Sequence, residues 1–359
     1  MNPSVFSASY FVNLPNDVLE KLAHVVGETS RLLSKLLCNL HDSATHHLRI
    51  DAASPSAPTL NEVTIYLSKL PNLNSIELLN STDYEMGSFL VERAGLTRLV
   101  VDNYGHGQFP ASIHAHGPIA AETLASCVDL RCLALRNIKW PALENLMALS
   151  ALSSLTHVSL SEMHNIVGFQ PLAACSKLVS LTILDCDLLS NFAPLSAMTG
   201  LTSFTLACPC YPFDESPFEA LANHPSLSVL KSIGLIGKVD LSPIATCSKL
   251  ETLRLQYEGR ERLDLGWIGQ LTSLTSIDLR GFMRLTSLEA LANNSSLRRL
   301  DVRNCPRLHA LSFTCLEACN QLSTLLCDHQ VVLRGGGLLA QTHPSPTLLH
   351  EMKSMFLTF

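Results

Sequence analysis

Reduced to hydrophobic and polar positions, the chain keeps returning to one phrase. Leu274, Ile277 and Leu279 stand at the spacing L-x-x-L-x-L, and 23 residues later Leu297, Leu300 and Val302 stand at the same spacing. The first leucine of the phrase falls at 73, 96, 130, 155, 178, 201, 227, 250, 274, 297 and 322. The steps are 23, 34, 25, 23, 23, 26, 23, 24, 23 and 25 residues. A period in the twenties is the mark of a solenoid. Each phrase predicts a short strand with its leucines turned inward and the alternating residues turned outward. One copy cannot bury its own apolar edge, whereas stacked copies form a parallel sheet over a continuous core. Each buried leucine contributes roughly 1.5–3 kcal/mol toward offsetting the ordering entropy.

Repeats this short leave room only for thin returns. SLEALANN (287–294) and PLAACSK (171–177) predict helical or 3₁₀ turns there. Closely spaced strands against thin returns are expected to curve the array, with the strands on the inside of the curve. Thr45, Leu48 and Ile50 suggest an additional strand ahead of the first full phrase.

The flanks read differently. From Leu14, Val18, Leu19, Leu22, Val25 and Val26 form one helical stripe, and Leu32, Leu33, Leu36, Leu37 and Leu40 form a second. Residues 1–50 therefore read as a small helical head, too short for a core of its own. Residues 51–60 are a Pro/Ser/Ala-rich linker, 61–330 the repeat array of about eleven repeats, and 331–359 a C-terminal cap over the last apolar edge.

The quoted phrases LVSLTILDCDL (178–188) and LRRLDVRNCPRL (297–308) resemble the leucine-rich repeat family, with Cys186 and Cys305 at its Asn/Cys position. The resemblance implies an α/β solenoid: a horseshoe with a concave parallel β-sheet, short helical or 3₁₀ returns and a small helical head. For function it implies a concave protein-binding surface. The cysteine-containing repeats are similar to those found behind F-boxes, and LPNDVLEKLA itself resembles the start of an F-box. That likeness implies a Skp1-type adaptor docking on Leu14, Pro15, Val18, Leu19 and Leu22 of the first helix and on Leu33 and Leu36 of the second. The alternative is a plain cap that shields the first repeat from solvent.

Composition narrows the field. Charged residues are 16% of the chain and the net charge is −6, which is no footprint of a nucleic-acid binder. Hydrophobics at 47% with aromatics at 6% fit a core of stacked aliphatic side chains. No secretory signal opens the sequence. Of twelve cysteines, Cys127, Cys175, Cys247 and Cys319 occupy the position three residues before a repeat leucine. Leu70, Leu152, Met198 and Leu271 hold that position elsewhere, so these cysteines read as buried free thiols. A reducing, intracellular compartment, cytoplasmic or nuclear, is the expectation.

Catalytic signatures are missing: no G-x-S-x-G, HExxH, CxxC pair or Walker loop occurs. Cys208 and Cys210 are spaced for metal or redox work but stand beside prolines, and Cys315 precedes the core position Cys319. The long step carries an insertion, 102–121, with His106, His114 and His116, for which a solvated loop is the simpler reading than a metal site. No cofactor and no metal is expected, and an enzyme is not. The outward strand positions segregate by charge. They are small or neutral through His157, Ser159, Ser161, Ser180, Thr182, Leu184, Ser203, Thr205 and Ala207. They then become charged or polar at Lys231, Arg254, Gln256, Asp278, Arg280, Arg299, Asp301, Arg303 and Asp328. Those nine form the candidate partner-binding set, suited to an acidic or mixed-charge segment because a guanidinium pairs with carboxylates in two-pronged fashion. A GTPase-activating role, with Arg254 or Arg280 stabilising phosphate charge, is a further alternative.

Overall fold

The computed structural model describes residues 46–51, 70, 72–79, 95–102, 124–137, 144–164, 166–208, 216–237, 239–259 and 263–328. The helical head with its F-box-like residues, most of the histidine-bearing insertion and the C-terminal cap lie outside them.

Twelve strands pair in strict chain order in one parallel sheet. They are β1 (His47–Asp51), β2 (Ser75–Leu79), β3 (Arg98–Asp102), β4 (Cys132–Arg136), β5 (His157–Ser161) and β6 (Ser180–Leu184), then β7 (Ser203–Ala207), β8 (Val229–Leu235), β9 (Thr252–Tyr257), β10 (Ser276–Asp278), β11 (Arg299–Asp301) and β12 (Thr324–Leu326). The sheet is open, with β1 and β12 at its two ends. Each phrase supplies one strand, and β1 is the additional strand suggested by Leu48 and Ile50. Because the period is regular, equivalent residues line up: Val158, Leu181 and Phe204 stand in register, as do Leu253, Ile277 and Leu300. All six are fully buried.

Three of the 3₁₀ returns carry Pro in the first turn, at Gln170–Ala174, Ala193–Ala197 and Ser242–Thr246. Proline is suited there because its missing N–H has no intrahelical partner to lose. The i→i+3 bonds of Cys175, Met198 and Cys247 to Leu172, Leu195 and Ile244 close each turn at 2.9–3.1 Å. Two returns instead make single α-helical turns, α1 (Glu144–Met147) and α2 (Pro217–Ala220). Phe169 and Phe192, at the start of successive returns, meet edge to face with centroids 6.0 Å apart.

Polar ladders tie repeat to repeat at both sides of the core. Before each strand, Thr97, Thr156, Thr202, Ser228, Thr275 and Ser323 each donate a hydroxyl to a backbone carbonyl of the preceding repeat, at 3.0–3.2 Å. After each return, the Cys175, Cys247 and Cys319 thiols donate to the carbonyls of Leu149, Leu221 and Leu291 at 3.3, 3.1 and 3.4 Å. In the same position His224 donates from Nε2 to Met198 (3.0 Å) and Asn294 from Nδ2 to Leu271 (2.8 Å). The position is thus more than a hydrophobic one: short donors fill it and satisfy a carbonyl that a buried turn otherwise leaves unpaired.

Two departures shape the outer face. Repeat seven has Ser232 where its neighbours Leu206 and Leu255 carry core leucines. Beyond it the register with β9 slips between Ser232 and Leu235, across Gly234 at φ +76°. Only glycine adopts that backbone freely, and the resulting bulge keeps Leu235 against Tyr257. Elsewhere the residue that ends the strand is left-handed: Asn137, Glu162, Asp185 and Asn304 at φ +50° to +59°, and Gly281 at φ +80°.

Candidate protein-binding face

Lys231, Arg254, Asp278 and Asp301 fall in one outward row, paired strand to strand from β8 to β11. Two residues further on lie Gln256, Arg280, Arg303 and Asp328, and Arg299 opens β11. All nine predicted residues therefore share the outer face of the last five strands. They are not equally available. Arg299 and Asp328 are exposed and Lys231, Arg254, Gln256 and Asp278 are half-buried, while Arg280, Asp301 and Arg303 are buried.

The reason is a run of alternating charges. Arg254 Nε lies 3.2 Å from Asp278 Oδ2. Arg280 grips Asp278 through Nε and NH2, both at 2.9 Å, and reaches Asp301 at 3.6 Å. Arg303 grips Asp301 through Nε at 2.9 Å and NH2 at 2.6 Å. The backbone N–H groups of Arg280 and Arg303 donate to the same carboxylates at 3.2 and 3.3 Å. Each Asp-x-Arg phrase is thus a fork closed within its own repeat. The contact of Arg280 with Asp301 is largely withdrawn from water, so it is screened far less than an exposed ion pair. The hydrogen bond to Asp301 is the main reason the Arg303 guanidinium holds its proton more firmly than usual.

Lys231 stands at the near end of this run and faces Arg254 across the β8–β9 pairing. Among the described residues it has no carboxylate partner. Burial lowers its proton affinity first, and the like charge of Arg254 lowers it further.

The middle strands carry a different surface. Ser159, Thr182, Thr205 and Ser161 are buried, and Val100, Ala134, Leu184, Ala207 and Ile233 form a second apolar cluster apart from the main core. These side chains form a tight floor rather than an accessible patch. A charged group that the sequence reading passed over sits among them. Arg136, 5% exposed, binds Glu162 Oε1 through Nε (2.9 Å) and NH2 (2.6 Å), with Asp102 at 3.8 Å. Aligning the strand ends would have exposed it, because Asp102 and Arg136 are in register and Glu162 follows β5 directly.

Arg280, clamped by two aspartates, is held in place rather than free to reach a phosphate. Cys208 is buried and in no disulfide, and Cys210 and the histidines of the insertion lie outside the described residues. Among the described residues, no cluster of three metal-ligating side chains occurs and no helix is long and apolar enough to cross a membrane.

Compared with solved structures, the chain is similar to an internalin (inlF) from Listeria monocytogenes, at TM-score 0.53 and 16% identity, over 86% of this chain and 84% of that one. It is also similar to TLR13 in its complex with ssRNA13, at TM-score 0.51 and 18% identity, over 75% of this chain and 41% of that one. The fold is a leucine-rich repeat solenoid. In that horseshoe the parallel sheet lines the concave side, so the charged run from Lys231 to Asp328 lies on the concave face. No protein-family model and no curated protein matches the sequence.

Proposed function

We propose that this protein is a non-enzymatic interaction module that holds an acidic or mixed-charge segment of a partner protein on the C-terminal half of its concave face. The observation that carries this reading is the composition of the charged run. Five cations (Lys231, Arg254, Arg280, Arg299 and Arg303) stand against three carboxylates (Asp278, Asp301 and Asp328), in a chain whose overall charge is −6. Local excess positive charge on an acidic protein steers an oppositely charged partner to one place. The fold supports a binding role in general, since the internalin and TLR13, each above 0.5 in TM-score, share the solenoid fold. Single-stranded RNA, named in the TLR13 complex, requires a broad groove of cations. Here two of the arginines are already closed on aspartates, which favours a protein partner.

The test is a double charge reversal, Arg254→Glu with Arg299→Glu, at two positions of the run that are not closed forks. Proteins captured from extract by the wild type are expected to be lost by the variant, with the circular dichroism spectrum unchanged. An unaltered set of captured proteins rejects the reading.

A further inference from the structure

Along the concave run the charges alternate from Arg254 to Arg303: plus, minus, plus, minus, plus. In the strand register like charges meet at two joints: Asp278 faces Asp301 with Arg280 bridging them, and at the other joint no described carboxylate stands between two cations. Lys231 and Arg254, both cationic, are direct partners in the β8–β9 register, and neighbouring strands lie only about 4.8 Å apart. On every other joint of the run an aspartate lies between the cations. Like charges directly opposite each other destabilise a sheet, and here water relieves the repulsion only in part, since both side chains are half-buried.

We propose that the Lys231–Arg254 joint is a carboxylate-binding subsite, which takes an aspartate or glutamate side chain of an acidic peptide segment and so completes the alternating run. This rests on the concave-face reading above and names the point at which the partner is gripped. Three features converge on it. Lys231 has no carboxylate among the described residues, and Arg254 is engaged with Asp278 through Nε at 3.2 Å. The next residue in the row on the other side is Thr205, too short to block an incoming side chain. The neighbouring joints already show which chemistry this face uses against its cations, namely a carboxylate gripped by nitrogens from two strands. The lowered proton affinity of Lys231 agrees with an unmet need for negative charge there.

The full-length chain is to be compared with Lys231→Glu and Lys231→Met, using synthetic hexaglutamate and hexaglutamine as probes. Fluorescence anisotropy and the thermal midpoint are the readouts. Wild type is expected to bind hexaglutamate and gain midpoint with it, and to ignore hexaglutamine. Lys231→Glu supplies the missing carboxylate internally, so its midpoint without peptide is expected to rise and its hexaglutamate affinity to fall about tenfold. Lys231→Met removes the cation without adding an anion, and is expected to weaken the peptide while leaving the fold intact. Equal hexaglutamate binding by all three proteins overturns the subsite, as does a lower midpoint for Lys231→Glu. Protection by inorganic phosphate but not by hexaglutamate overturns the peptide assignment. These readouts are independent of captured partners. Peptide effects as expected, with the Arg254/Arg299 reversal leaving partners unchanged, uphold the subsite and reject only the partner reading.

Discussion

Arg303 and Asp301 form a closed two-pronged pair within a single repeat, with Nε and NH2 at 2.9 and 2.6 Å from the two carboxylate oxygens. Asp301 is 2% exposed and also lies 3.6 Å from Arg280, so one carboxylate serves two guanidinium groups. Removing one partner of a buried pair leaves the other charge uncompensated. Asp301→Ala is therefore expected to destabilise the C-terminal repeats by about 3–5 kcal/mol, and Asp278→Ala, whose carboxylate is more exposed, by less. Urea unfolding followed by hydrogen exchange across 276–328 checks this. Equal, small losses in both variants would mean the forks are surface decoration.

His224 predicts an acid sensitivity. Its Nε2–H donates to the Met198 carbonyl, and its Nδ1 accepts from the Ser226 N–H, so the ring is neutral inside the solenoid. Burial pushes its proton affinity below the ordinary value of 6.5, and the bond to Met198 offsets this only in part. The unfolded chain then takes up the proton more readily than the folded one. The stability contributed here is full above pH 6.5 and is lost as the pH falls through the lowered folded value. His224→Cys, the residue at this position in the following repeat, is expected to flatten that part of the stability curve between neutral and mildly acidic pH. An unchanged acid limb would show that other groups control it.

The buried thiols should be chemically quiet. Burial pushes Cys175 up to about 11 and Cys305 to about 12, so neither offers thiolate at neutral pH. Alkylation of the native protein, mapped by peptide mass, is expected to label Cys132 and Cys315, which are only partly buried, well before these two. In denaturant the difference should disappear. Rapid native labelling of Cys305 would contradict its placement.

Ser232 occupies a core position and its hydroxyl has no hydrogen-bond partner among the described residues. An unpaired buried polar group is a net loss to the fold, so Ser232→Ala is expected to raise stability by about 1 kcal/mol. A fall in the denaturation midpoint would show that the hydroxyl is satisfied after all.

Much of this architecture was legible in the chain. The period placed every strand from β2 to β12, because burying a leucine in each phrase is possible only if copies stack in register. It also put Lys231, Arg254, Gln256, Asp278, Arg280, Arg299, Asp301, Arg303 and Asp328 on one face, since alternation in a strand leaves no other choice. Less legible was the position three residues before each repeat leucine. Cys175 and Met198 look interchangeable as apolar residues, yet His224 and Asn294 also fit there, because each can donate to a carbonyl of the repeat before. A hydrophobicity pattern carries no information about that bond.

Sequence alone, then, determined the stacking and which side chains face the concavity, for both follow from local periodicity and from the need to bury aliphatic surface. Only the tertiary structure decided how those charges are used. Asp-x-Arg in two adjacent repeats reads as a solvated, open surface until stacking sets Arg254 against Asp278 and Arg280 against Asp301, with Arg280 and Arg303 withdrawn from water. The same stacking sets Lys231 directly against Arg254. The cross-strand contacts depend on distances of a few ångströms between residues some twenty positions apart, and such distances exist only once the repeats are stacked.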